Sequence, residues 1–126
     1  MAKNPVNWFE IYVDDIERAK EFYEAVLNVE LSKLKTPDDM PVEMWSFPGQ
    51  QGEAGSGGAL IHMDGFKAGG NSTLVYFSCE DCATEENRVE DAGGKIFKTK
   101  FAIGEYGFIA LATDSEGNMF GLHSMA

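Results

Sequence analysis

Two histidines, His62 and His123, and a strand-borne carboxylate, Glu10, are the groups in this chain whose types best suit chemistry. Two imidazoles and a carboxylate brought together could hold a divalent cation in an open site, or pass a proton between them. Around Glu10 the spacing adds to the signal. Trp8, Glu10 and Tyr12 alternate through a segment rich in aromatic and β-branched residues, so they share one face of a strand. Phe9, Ile11 and Val13 share the other face and should pack under the next element. An indole and a phenol beside a carboxylate could stack on a planar ligand or on a cation.

Cys79 and Cys82 form a Cys-Glu-Asp-Cys spacing. A redox pair needs a thiolate stabilised by a cation or a helix N-terminus, whereas Glu80 and Asp81 would raise the thiol pKa values. One pair is also too few for a four-thiolate zinc site. Packing at a strand-to-helix junction is the better reading. The glycine-rich stretch from Pro48 to Gly58 has neither a Lys-Ser/Thr ending nor a GxGxxG register, so it reads as a hairpin connection and not as a phosphate cradle. Gly104-Glu105-Tyr106-Gly107 reads as a turn before a strand, with a lid over a cleft as the alternative.

Positioning these groups requires a fold, and 126 residues suffice for one domain with a single core. A net charge of −11 repels phosphate backbones and anionic lipid, which argues against nucleic-acid and membrane partners. It also suits a cationic ligand, or simply solubility. No apolar run reaches the roughly 20 residues of a membrane span and no signal-peptide pattern opens the chain, so a cytoplasmic protein is expected.

A strand over 6–13 is followed by Asp14 and Glu17 at capping-box spacing, with Asp15 adding charge at the helix start. Ile16, Ala19, Tyr23, Val26 and Leu27 then recur at helical spacing, with Phe22 at the margin, and Asn28 stands where the helix must stop. Short strands are expected over 30–35, 42–48 and 58–63. After a glycine-bearing divider from Asp64 to Asn71 the pattern restarts: strand 72–79, a helix to about Ala92, and strands over 95–100, 106–113 and 118–124. Asp114-Ser115-Glu116-Gly117-Asn118 joins the last two as a hairpin turn. Sliding the first half onto the second sets Trp8 on Leu74, Asp15 on Asp81 and Glu24 on Glu90. Each half thus reads βαβββ, and neither could bury its sheet face alone.

The run Val13-Asp14-Asp15-Ile16-Glu17-Arg18-Ala19 with Phe22-Tyr23, and the Asp114 to Asn118 turn, resemble the vicinal-oxygen-chelate superfamily of glyoxalase I, bleomycin-resistance proteins and extradiol dioxygenases. The ending from Gly107 to Leu122 is similar to that of a subgroup of predicted enzymes related to lactoylglutathione lyase. The resemblance runs end to end. It implies an α+β fold of two tandem βαβββ modules, about 1–64 and 72–126, curled into a half-barrel around a cleft, commonly in a homodimer. In metal-dependent members, His or Glu side chains of the first and last strands of each module hold a divalent ion that polarises vicinal oxygens of the substrate.

Carried onto this chain, those ligand positions fall on Trp8, on Leu74, on Gly121 and, for the fourth strand, on Leu60 or Ile61. None of these side chains ligates such a cation. No metal or other cofactor is therefore expected, except at a displaced site. Two residues beyond the empty positions stand Glu10, Tyr76 and His123, with His62 as a fourth group. Three readings follow: polar fittings of a small-molecule cleft lined by Trp8, Tyr12, His62, Leu74, Tyr76 and Gly121; a displaced metal or acid/base site in which Glu10 and His123 are catalytic, as in a lyase or isomerase related to lactoylglutathione lyase; or satisfied residues with no role. Binding without metal is the leading expectation.

Overall fold

The computed structural model describes residues 6–36, 38, 41–49 and 54–126. Its order is β1 (Trp8–Tyr12), α1 (Ile16–Leu27), β2 (Ser32–Lys33), β3 (Val42–Ser46), β4 (Gly57–Met63), then β5 (Tyr76–Ser78), α2 (Cys82–Val89), β6 (Lys95–Ala102), β7 (Phe108–Thr113) and β8 (Met119–Ser124). Each half is βαβββ, and the second adds one 3-10 turn at Gly104–Tyr106. The two four-stranded sheets run β1-β4-β3-β2 and β5-β8-β7-β6, so in both the first strand pairs in parallel with the last and the other pairs are antiparallel. Neither sheet closes on itself. The fold is α+β, two modules with curved, open sheets.

Helix α1 forms because Ile16, Ala19, Phe22, Tyr23 and Val26 make one buried stripe. Burying each large member contributes roughly 1.5–3 kcal/mol. Phe22 sits fully inside, edge-on to Tyr23 and Phe120, and not at the margin of the stripe. The N-cap is Asp15, whose side chain accepts from the Arg18 amide; the Asp14 carboxylate instead accepts from the Ala68 amide at 3.1 Å. The expected Asp14/Glu17 capping box does not form: the cap is Asp15, and the cap's own amide donates to Glu116. Asn28 ends the helix at φ 55° and ψ 53°, the left-handed conformation that Asn tolerates. Helix α2 repeats the device with Asp81 as its N-cap.

Both helices and the inner faces of both sheets share one hydrophobic core. Its centre is aromatic: Tyr23 meets Phe47 of the first half and Phe77 and Phe120 of the second at centroid distances of 5.5–5.6 Å. Such pairs add about 0.5–1.5 kcal/mol each beyond area burial. As expected from alternation, Ile11 and Val13 are buried in this core, and Trp8 and Glu10 face outward.

The predicted Asp114–Asn118 turn fastens the two halves together. Gly117 adopts φ +85°, and Asp114 carboxylate oxygen accepts from the amides of Glu116 and Asn118. From this turn Glu116 reaches the start of α1, where it accepts from the amides of Asp14 and Asp15 at 3.1 and 2.8 Å and from the Arg18 guanidinium. A carboxylate there answers the unpaired amides and the positive end of the helix. Burial pushes the Glu116 pKa up, but the guanidinium, the Asp15 amide and the Ser115 hydroxyl together outweigh it, holding the group below its ordinary value.

Candidate ligand site between the modules

On the outward face of β1, Glu10 is braced from both sides. The Trp8 indole N–H donates to its Oε2 at 3.2 Å and the Tyr12 hydroxyl to its Oε1 at 2.8 Å. Strand alternation makes this possible, because residues i and i+2 stand side by side. Tyr12 in turn stacks on Phe66 at 5.4 Å, and its pKa is raised by the hydrogen bond to Glu10 and then by burial. The carboxylate is thus fixed in place with lone pairs to spare.

Beside it lies an open-sided pocket of about 220 Å³, bordered by β1, the chain crossing between the modules, and the start of β8. Buried Ile11, Tyr23 and Phe120 and half-buried Val75 give it an apolar floor, and the exposed Glu10 and Lys67 line it as well. The crossing segment is tied down on both sides. Asn118 donates to the Tyr12 carbonyl at 3.0 Å and accepts from the Gly69 amide at 2.6 Å; Asn71 donates to the Met119 carbonyl at 2.9 Å and accepts from its amide at 3.0 Å. Buried polar atoms of the joint are paired in the same way, with the Tyr23 hydroxyl donating to Asp114. Sequence reasoning missed Lys67, Asn71, Ser72, Thr73 and Asn118 as pocket residues. Their signal was only a polar, glycine-bearing divider and the residues just after it, and for Asn118 a hairpin turn.

Of the residues expected at a site, Glu10 and Tyr12 line this pocket. Trp8 stands next to Glu10 and is 43% exposed. Tyr76 and His123 lie on the outward face of the second sheet, since Tyr76 pairs with Gly121 and Ser78 with His123. His123 Nε2–H donates to the Tyr106 carbonyl at 2.7 Å, so the 3-10 turn is tied to β8. Leu74 precedes β5 instead of belonging to it.

His62 is a correction. Residue pairing along β1 and β4 sets Glu10 beside Ala59 and Tyr12 beside Ile61, so His62 projects from the opposite face of β4. Its Nδ1–H donates to the Val13 carbonyl at 3.0 Å. The structure therefore does not bring His62 to the face that carries Glu10. Among the described residues no three His, Cys, Asp or Glu side chains gather where they could hold a metal ion.

The fourth-strand position is corrected too. Val13 N–H bonds the Ile61 carbonyl and Cys79 N–H bonds the His123 carbonyl, which makes Ile61 equivalent to His123 and Ala59 equivalent to Gly121. The counterpart of Gly121 is thus Ala59, not Leu60 or Ile61. The four positions where the superfamily places ligands carry Trp8, Ala59, Leu74 and Gly121, none with a donor for a divalent cation. At Gly121 an added Cβ would stand 2.3 Å from the Tyr76 ring, so the ring would have to move to admit any side chain. The residues present do not fit the superfamily's metal.

The thiols are buried or half-buried and free. Burial first, and then the neighbouring Glu85 carboxylate, pushes the Cys79 thiol up to about 12, and Cys82 is fully enclosed in the core. Cys79 is therefore not poised as a thiolate.

With fold and site in view, the family is settled by comparison. The Glyoxalase/Bleomycin resistance protein/Dioxygenase superfamily model matches residues 6–122, and the chain belongs to that superfamily. Among solved structures it is similar to glyoxalase I of Zea mays, with a TM-score of 0.76, 21% identity, and 94% of this chain covering 45% of that one. The chain therefore spans about half the length of the maize protein. It is also similar to TnmS3, an antibiotic binding protein from Streptomyces sp. CB03234, with a TM-score of 0.66, 22% identity, and coverage of 100% and 99%. A hypothetical protein of S. aureus aligns with a TM-score of 0.69 and 19% identity over 93% and 94% of the two chains. At such identities these likenesses speak for the fold alone. No curated protein matches the sequence. No helix among the described residues is long and apolar enough to cross a membrane.

Proposed function

We propose that the protein binds a small organic molecule in the pocket between its modules, with Glu10 as the anchoring polar group, and that it does so without a metal at the superfamily's ligand positions. The observation that carries this reading is the replacement of all four ligand positions by groups without donors, beside a pocket that keeps an apolar floor and a braced carboxylate. The likeness to an antibiotic binding protein is consistent with a binding role. A homodimer in the cytoplasm belongs to the same proposal, as does the aromatic contribution of Trp8 and Tyr76 on the exposed sheet faces.

The lyase or isomerase reading would use Glu10 as base with His123, and nothing in the described geometry joins those two side chains. The test is a thermal-shift screen of small polar and aromatic compounds on the full chain, with tryptophan fluorescence in a Trp45→Phe background, which leaves Trp8 as the emitter, as a second readout. Compounds that raise the melting temperature and change the emission, with the response lost in Glu10→Ala, are expected. A screen in which none stabilises the protein, together with turnover of a hemithioacetal that depends on added divalent metal, would overturn the proposal.

A further inference from the structure

We infer that the ligand of this pocket is a small zwitterion with an apolar side group, of the α-amino acid kind; this rests on reading the pocket as a ligand site. Two opposite charges line one hollow: Glu10 from β1 and Lys67 from the crossing segment. Among the described residues neither forms an ion pair within 4.0 Å, so both charges are open to a ligand. The Glu10 carboxylate is held in position, and the backbone that carries the exposed Lys67 is anchored. Glu10 is clamped by Trp8 and Tyr12, and the backbone just after Lys67 is pinned by Asp14 at Ala68 and by Asn118 at Gly69.

A ligand carrying only a cation would satisfy Glu10 and face Lys67 with a like charge; one carrying only an anion would do the reverse. A molecule with an ammonium and a carboxylate on one carbon answers both. The floor of Ile11, Val75 and Phe120 then takes an apolar side group. At about 220 Å³ the hollow is smaller than the roughly 300–1,000 Å³ of sites for drug-sized ligands, which suits a molecule of amino acid size.

The test screens the standard amino acids one by one by thermal shift on the full chain, beside matched neutral, cationic and anionic compounds. The best amino acid is then compared by calorimetry with its amide, which lacks the carboxylate, and its N-acetyl derivative, which lacks the ammonium. The free amino acid should bind at least about tenfold more tightly than either derivative, a difference of roughly 1.4 kcal/mol. Glu10→Gln should abolish the preference over the N-acetyl compound, and Lys67→Gln the preference over the amide. Circular dichroism of both variants checks that they fold. Equal or tighter binding of the blocked derivatives, or variants with unchanged preferences, would overturn the inference. If only compounds of a single charge bind, the zwitterion is wrong and the ligand site stands; if no class of compound binds, the ligand site itself falls.

Discussion

The hydroxyl of Tyr23 donates a 2.7 Å hydrogen bond to the carboxylate of Asp114, a residue 91 positions further along the chain. Both groups are buried, one in the first helix and the other in the last turn. Burial raises the Asp114 pKa, opposed by the Tyr23 hydroxyl and by the amides of Asn118 and Glu116, and it raises the Tyr23 pKa as well. Tyr23→Phe keeps the ring that Phe47, Phe77 and Phe120 pack against but leaves the Asp114 oxygen short of a partner. A loss of about 1–3 kcal/mol is expected, read by urea denaturation.

Glu116→Gln should cost about 1–3 kcal/mol near neutral pH, because it weakens the link between the last hairpin and the start of α1. The guanidinium of Arg18 is more than half exposed, which places the cost toward the lower end. The pH dependence follows from the sign of the shift. The folded pKa of Glu116 lies below its unfolded value near 4.5, so its stabilisation is complete above 4.5 and is lost as pH falls through the folded pKa. The gap between wild type and variant should therefore narrow in denaturation curves taken well below pH 4.5. A gap that stays constant would contradict this linkage.

Restoring the superfamily's carboxylate at the end of β8 should fail. In Gly121→Glu the new Cβ meets the Tyr76 ring at 2.3 Å, and overpacking of this kind costs about 1–3 kcal/mol. Tyr76→Ala should relieve most of that penalty in the double variant. Additive losses in a double-mutant cycle would show that ring and glycine are not coupled.

Neither thiol should react in the folded protein. With the Cys79 thiol near 12 and Cys82 fully buried, iodoacetamide at neutral pH should label both only after denaturation. Mass spectrometry distinguishes the outcomes, and a disulfide formed under mild oxidation of the native state would reinstate the redox reading.

How far the chain could be read depends on the kind of signal each segment carries. The periodic run from Ile16 to Val26 and the Asp114 to Asn118 turn were legible because local spacing alone dictates them. The phase of β4 was not. Ala59, Leu60 and Ile61 are all apolar and all buried, so no alternation says which side His62 takes, and only pairing with β1 decides it. Glu116 looked like an ordinary turn residue, since its partners at Asp14, Asp15 and Arg18 lie in the other half of the chain. Lys67 and Asn71 were hidden for a similar reason: a polar connection becomes a pocket wall only through what it crosses. Glu10 was found because strand alternation places it between two aromatic residues.

Because the acceptor for Tyr23 lies 91 positions further on, that intramolecular bond closes only after 91 more residues have been made. The same holds for the amides that open α1, which await Glu116. Contacts so far apart in sequence carry a loop-closure cost that slows folding.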